Sequence, residues 1–255
     1  MVRPRGTTMA SVDHATGRYP SGEHLLEQAM ETTGLTDFGP GDFREGLDVL
    51  LESLARDADL HPDSDEFVVG TLRRRLVNRL LVEQWLADHP GILDLEVRGP
   101  VDIIGLPRTG TTALGNMLSR DPQLRPLRNW EQANPVPPPR LEDEATDPRR
   151  LQAIADDEAV SPLLKAMHIW DADSGMEDSD VLGMAFHGQQ YTLPVYGYHA
   201  WWRHSDNTET FRYHRRISQL LQSERPPNLW LSKAPHHKFH LEAIVAAYPD
   251  VRFVM

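Results

Sequence analysis

The run Val101-Asp-Ile-Ile-Gly-Leu-Pro-Arg-Thr-Gly-Thr-Thr-Ala-Leu-Gly-Asn-Met-Leu-Ser119 decides the fold. Val101 to Ile104 is a short, β-branched stretch that reads as a buried strand. Gly105-Leu-Pro-Arg-Thr-Gly110 turns the chain, and Thr111 to Leu118 reads as a helix with Leu114 and Leu118 on one face. Strand, glycine-bearing loop and helix N-terminus together make an anion site. Unpaired amide N–H groups converge there, and the helix dipole favours negative charge. The spacing Gly105-x4-Gly110-x-Thr112 is that of a phosphate-binding P-loop, with one departure. Thr111 stands where an ATP-binding loop carries lysine, and the loop's cation is Arg108. The lysine of NTPase loops reaches the outer phosphates of a triphosphate, so its loss counts against a kinase or an ATPase.

Pro107-Arg-Thr-Gly-Thr-Thr112 resembles the phosphosulfate-binding loop of sulfotransferases, which use 3'-phosphoadenosine 5'-phosphosulfate (PAPS). Asp121-Pro122, Trp130-Glu131, the proline run Val136-Pro-Pro-Pro139 and Trp230-Leu-Ser-Lys-Ala-Pro-His-His237 extend the resemblance. In that order and spacing they look like a bacterial-type branch of the P-loop sulfotransferases, from about Val101 to the C-terminus. The resemblance implies PAPS as donor, a hydroxyl of a small molecule, lipid or sugar as acceptor, and adenosine 3',5'-bisphosphate as product. Two other readings stay open. One is a small-molecule kinase on a degenerate P-loop; the other is a non-catalytic fragment that binds anions or a partner through its N-terminal helices. Resembling enzymes also place an arginine straight after the strand at Val251–Met255 and a serine several residues on, which hold the donor's 3'-phosphate. Neither follows here, so the expectation is a C-terminally truncated domain with only the 5' side of the cofactor site.

Composition narrows the class. The chain has 255 residues, a formal net charge of -12 and no cysteine. A chain this acidic is a poor nucleic-acid binder, since such affinity comes mainly from neutralising phosphates. Without cysteine there are no disulfides, thiolate metal sites or thiol nucleophile. No apolar run approaches the roughly 20 residues of a membrane helix. Arg3 and Arg5 are not followed by an apolar region, so the N-terminus is not a secretory signal. The expected setting is the cytoplasm.

The organisation expected is a disordered arm over residues 1–20, a helical extension over 21–95 and a P-loop domain over 96–255. Ser21 is positioned to cap a helix to about Thr33, and Asp42 with Glu45 forms a capping box for the next. That helix puts Phe43, Leu47, Leu50, Leu51 and Leu54 on one face. A longer one, about Ser64 to Ala87, buries Val69, Leu72, Leu76, Leu80 and Trp85, with Arg73, Arg74, Arg75 and Arg79 on a solvated face. Asn134 to Arg140 is too proline-rich for helix or central strand. Helices are expected over about 147–169, with a break at Pro162, over 179–191, over 208–223 and over 240–247. Strands are expected at Leu229–Leu231 and Val251–Met255. Alternating strands and helices argue an α/β fold with a parallel sheet under helical cover. Tyr196, Tyr198, Trp201 and Trp202 either line a substrate pocket or pack in the core.

The resemblance distributes roles. Arg108, Thr109, Gly110, Thr111 and Thr112 are expected to bind the cofactor's 5' side through amides, hydroxyls and the one loop cation, and Arg108 is also expected to act catalytically by meeting charge that develops on the transferring group and the leaving phosphate. Lys233 leaves the end of a strand, where ligands of α/β sheets gather, and contacts the donor near its scissile bond. Glu131 matches the glutamate described as general base in tyrosine-directed sulfotransferases. His236 and His237 are its rivals, since imidazole titrates near neutrality. His168, Glu177 and Asp178 form a further group that recurs in similar sequences. No metal is implied, because no His-Glu-x-x-His or carboxylate cluster is present.

Overall fold

The structure is a computed structural model whose described residues are 17–160, 172–175, 177–188, 190, 193–226 and 228–255. Most of the expected arm, the Pro162 break and His168 lie outside them. Arg18 and Tyr19 do not belong to an arm. Arg18 donates to both carboxylate oxygens of Asp65, at 2.7–3.0 Å, and Tyr19 is buried.

Three helices open the chain: α1 (Gly22–Thr33), α2 (Phe43–Asp57) and α3 (Asp65–Asp88). Ser21 caps α1 as expected, its hydroxyl accepting from His24 N at 3.2 Å. The capping box at Asp42 does not form. Asp42 makes no side-chain cap bond, and only its carbonyl receives Glu45 N, at 3.1 Å. The apolar stripes of α2 and α3 meet in one cluster with Leu47, Leu50, Leu54, Leu72, Leu76 and Leu80 buried. On α3 Val68 is buried in place of Val69, and Trp85 is half-buried.

The arginines of α3 correct the sequence reading. Arg73 and Arg74 reach solvent, but Arg75 and Arg79 are buried. Arg79 donates to the carbonyls of Phe38 (2.6 Å), Met184 (3.0 Å) and Pro40, between the rings of Phe43 at 4.2 Å and Tyr213 at 3.9 Å. A guanidinium has five donors and a flat face, so it can satisfy orphan carbonyls where three segments meet. Helical periodicity cannot distinguish that use from a solvated stripe.

The sheet holds β1 (Val101–Ile103), β2 (Leu124–Pro126), β3 (Leu229–Lys233) and β4 (Arg252–Val254), all parallel in the order β2-β3-β1-β4. The fold is therefore α/β, as expected. Sequence reading missed β2, whose Leu124-Arg-Pro126 is too short and too polar to signal a strand. The remaining α-helices among the described residues are α4 (Thr111–Leu118), α5 (Asn129–Ala133), α6 (Pro148–Ala159), α7 (Ser179–Met184), α8 (Tyr196–Trp202), α9 (Thr208–Gln222) and α10 (Leu241–Ala247). Helix α7 is shorter than the helix expected over 179–191. Phe211, Ile217, Leu220 and Leu221 of α9 are buried in a second cluster with Val82 and Leu86, so α3 serves both cores.

The aromatic cluster resolves in favour of packing. Tyr198 and Trp202 are buried beside α2 in the first core, whereas Tyr196 is 71% exposed. Pairing of Asp102 with Ser232 and of Ile103 with Lys233 brings the carboxyl ends of β1 and β3 together. Everything after Ile103 and after Lys233 therefore emerges at one edge, the place where open α/β sheets collect ligands.

Candidate active site

The loop from Gly105 to Gly110 leaves β1 and enters α4. Gly105 (φ 152°) and Gly110 (φ 94°) take positive φ, which favours glycine, and so does Arg108 (φ 67°). A non-glycine residue held there costs on the order of 1–3 kcal/mol, and such outliers gather at ligand-binding loops. Residues Leu106 to Gly110 are exposed, and Thr111 and Thr112 are half-buried at the start of α4. Thr109 Oγ1 closes the turn on Leu106 O at 2.7 Å, and Lys238 Nζ props it from beneath at Gly105 O, 3.2 Å away.

Lys233, the last residue of β3, lies under this loop. Its stem runs along α4 at Gly115, where an added Cβ would come within 3.4 Å of Lys233 Cδ. Its ammonium reaches Thr112 Oγ1 at 3.4 Å and Glu177 Oε1 at 3.9 Å. Both contacts are long for a buried ammonium, which leaves donor capacity for an anion at the loop. Burial pushes the Lys233 amine below its ordinary value, against support from Glu177 and Asp178. Thr109 to Thr112 and Lys233 thus come together at one end of the sheet. Glu177, noticed in the sequence only as one of a recurring group, joins them, and its side chain is 26% exposed.

His237 and His236 sit on the single 3-10 turn Pro235–Phe239 that follows Lys233. His237 Nδ1 faces both oxygens of Asp102, at 3.0 and 3.1 Å. Burial pushes His237 down, but Asp102 and Asp178 outweigh it and the net shift is upward. His236 is buried edge-on to Trp202, ring centroids 5.7 Å apart, and burial pushes it well below the usual range.

Glu131 is elsewhere. It belongs to α5, is 0% exposed, and accepts from Arg125 at 2.7 Å and Arg128 at 2.6 Å. Its second oxygen takes the Arg128 backbone N–H at 3.3 Å. Burial would raise this carboxyl, but the two guanidiniums win and hold it below the ordinary range. The same contest splits the arginines. Burial lowers Arg125, whereas at Arg128 the carboxylates of Glu131 and Glu144 outweigh burial and raise it. A carboxylate so occupied ties β2, α5 and the end of α9 together, since Arg125 also donates to Leu221 O (2.9 Å) and Arg225 O (2.7 Å).

Glu131→Gln should therefore destabilise the fold by about 3–5 kcal/mol, because it leaves two buried guanidiniums short of charge. Denaturant unfolding measures it. The folded carboxyl titrates below its unfolded value of about 4.3, so this stabilisation is present above that pH and is lost as pH falls through the depressed folded value.

Among the described residues no three His, Asp or Glu side chains are grouped to hold a metal ion. No described helix is long and apolar enough to cross a membrane.

The profile of the Sulfotransferase family matches residues 100–255. The crystal structure of sulfotransferase STF9 from Mycobacterium avium superposes with a TM-score of 0.83 at 30% identity, covering 96% of this chain and 63% of that one. Sulfotransferase STF1 from Mycobacterium tuberculosis H37Rv gives a TM-score of 0.81 at 30% identity, covering 93% of this chain and 67% of that one. The chain thus spans less than two thirds of the length of the first of these. No curated protein matches it.

Proposed function

The chain belongs to the sulfotransferase family, and from that premise we propose that it transfers the sulfuryl group of PAPS to a hydroxyl of a small molecule, lipid or sugar. The observation that carries this reading is the Lys233 ammonium at 3.4 Å from Thr112 Oγ1, beneath the Gly105–Gly110 loop. A P-loop kinase carries its lysine inside the loop; here threonine holds that position and the cation arrives from β3. The donor supplies a sulfuryl group on a phosphate leaving group. The amides and hydroxyls of Thr109 to Thr112 hold the 5'-phosphate, and Arg108 adds a side-chain cation. As the acceptor's O–S bond forms and the sulfur–phosphate oxygen bond breaks, charge grows on the departing oxygen, and Lys233 is positioned to neutralise it. The acceptor's proton goes to Glu177, which is partly open to solvent and 3.9 Å from Lys233. The base role expected of Glu131 or His236 moves to Glu177. Glu131 is enclosed by two arginines, and His236 is buried against Trp202.

Calorimetry with adenosine 3',5'-bisphosphate, against ATP plus magnesium, tests the donor. Preferential binding of the bisphosphate is expected; preference for magnesium-ATP would return the kinase reading. Arg108→Ala should weaken bisphosphate binding by about 1.5–3 kcal/mol, or roughly 10–150-fold, the worth of one charge-assisted contact. Unchanged affinity in that variant would remove Arg108 from the donor site.

A further inference from the structure

Directly behind Lys233 lies a buried polar chain that the proposed reaction does not use. Asp178 is its hub and is fully buried. Its backbone N–H donates to Lys233 O at 3.2 Å, and its Oδ1 accepts Lys233 N–H at 3.4 Å. Its Oδ2 accepts the Ser232 hydroxyl and faces His214 Nε2 at 3.2 Å. His214 Nδ1 in turn meets Tyr248 Oη at 2.6 Å, and His237 Nε2 stands 3.9 Å from Asp178 Oδ2.

We infer that Asp178 is a positioning residue: it clamps the segment that carries Glu177 onto the end of β3, and so holds the Glu177 carboxylate and the Lys233 ammonium in one fixed geometry. The inference rests on the reading of Lys233 and Glu177 given above. Two neighbouring residues, Glu177 and Asp178, divide the work, the first facing the ammonium and the second gripping the backbone beneath it. Main-chain and side-chain bonds from one residue to the N–H and the C=O of Lys233 fix position and orientation together. Such an arrangement is what a transfer reaction needs, since a misplacement of about 1 Å can cost on the order of 10²-fold in rate. An aspartate suits the post better than an amide, because every group facing its two oxygens is a donor or can act as one. The charged groups around the hub come from several elements: Asp102 on β1, His214 on α9, His237 on the turn after β3, and Lys233 with Glu177 in front.

The test exploits the lysine content. The chain has three lysines, Lys165, Lys233 and Lys238, so ¹³C NMR of labelled lysine side chains in the full chain resolves Lys233 among three signals. In Asp178→Asn the Lys233 amine should titrate at lower pH than in the parent, because a supporting carboxylate is gone. Turnover should fall about 10–10²-fold with the donor KM nearly constant. A role confined to stability predicts lower resistance to denaturant with the turnover of folded enzyme unmoved, and that result overturns the inference. If Asp178→Asn does not fold, Ser232→Ala removes one bond to Oδ2 and should move Lys233 the same way by less; no movement there also overturns it. The titration needs no catalysis. A parent that fails to transfer sulfuryl groups therefore refutes the proposed reaction, while the Lys233 curve in Ser232→Ala, which removes a bond and no charge, still decides the role of Asp178.

Discussion

Lys233→Met should lower the turnover of sulfuryl transfer about 10²–10³-fold, the cost of losing one preorganised donor at a site of developing charge. Methionine reproduces much of the apolar stem that lies along Gly115, so the contact with α4 survives and the ammonium alone is removed. Stability should hold or rise, because an ammonium taken out of water and given only long contacts among the described residues is costly to bury. The pH dependence supplies a second mark. Burial pushes the Lys233 amine down, so a reaction that needs its cation should fail as pH rises through a value below the ordinary lysine range of about 10.4. In the methionine variant that alkaline limb should vanish along with most of the rate. Steady-state kinetics across pH checks both. A rate within threefold of the parent would leave the P-loop without its proposed catalytic cation.

How much of this was legible beforehand depends on the range of the interactions concerned. The loop was legible because its determinants are local: Gly105, Gly110 and Thr112 sit within eight residues and impose turn, cradle and helix start. The position of Lys233, though not its role, was legible because a lysine at the end of an apolar strand has few places to go in a parallel sheet. Glu177 was noticed and passed over. Its distinction is a long-range one, since it acquires meaning only when Asp178 docks on Lys233, 55 residues away along the chain. The surroundings of Glu131 were hidden for a related reason. Its place soon after the loop helix suited a base, but nothing local reveals that Arg125 and Arg128 fold back onto it. The same blindness made a solvated face of Arg75 and Arg79. Sequence periodicity reports which side of a helix is apolar, and a buried guanidinium that serves three carbonyls from two other segments breaks the pattern without leaving a local sign.

The two glutamates can be separated by one paired experiment. Glu177→Gln should depress turnover by about 10²–10⁴-fold, the usual worth of a general base, while bisphosphate affinity and fold stability stay close to the parent. The amide keeps the size of the side chain but cannot take the acceptor's proton. It also withdraws one negative charge from beside Lys233, so the alkaline limb of whatever rate remains should move to lower pH. Glu131→Gln should show the reverse pattern, with a large loss of stability and near-normal turnover per folded molecule, because its carboxylate is engaged by two guanidiniums and closed to solvent. Measuring kcat against the fraction folded keeps the two effects apart, since a destabilised variant loses apparent activity merely by unfolding. An acceptor with a more acidic hydroxyl sharpens the contrast. Less help is needed to remove its proton, so the Glu177→Gln defect should shrink for an acidic phenol relative to an aliphatic alcohol, whereas a defect from misfolding would be the same for both. Full turnover in Glu177→Gln with either acceptor, or a rate loss in stably folded Glu131→Gln that grows as the acceptor becomes less acidic, would give the proton back to Glu131.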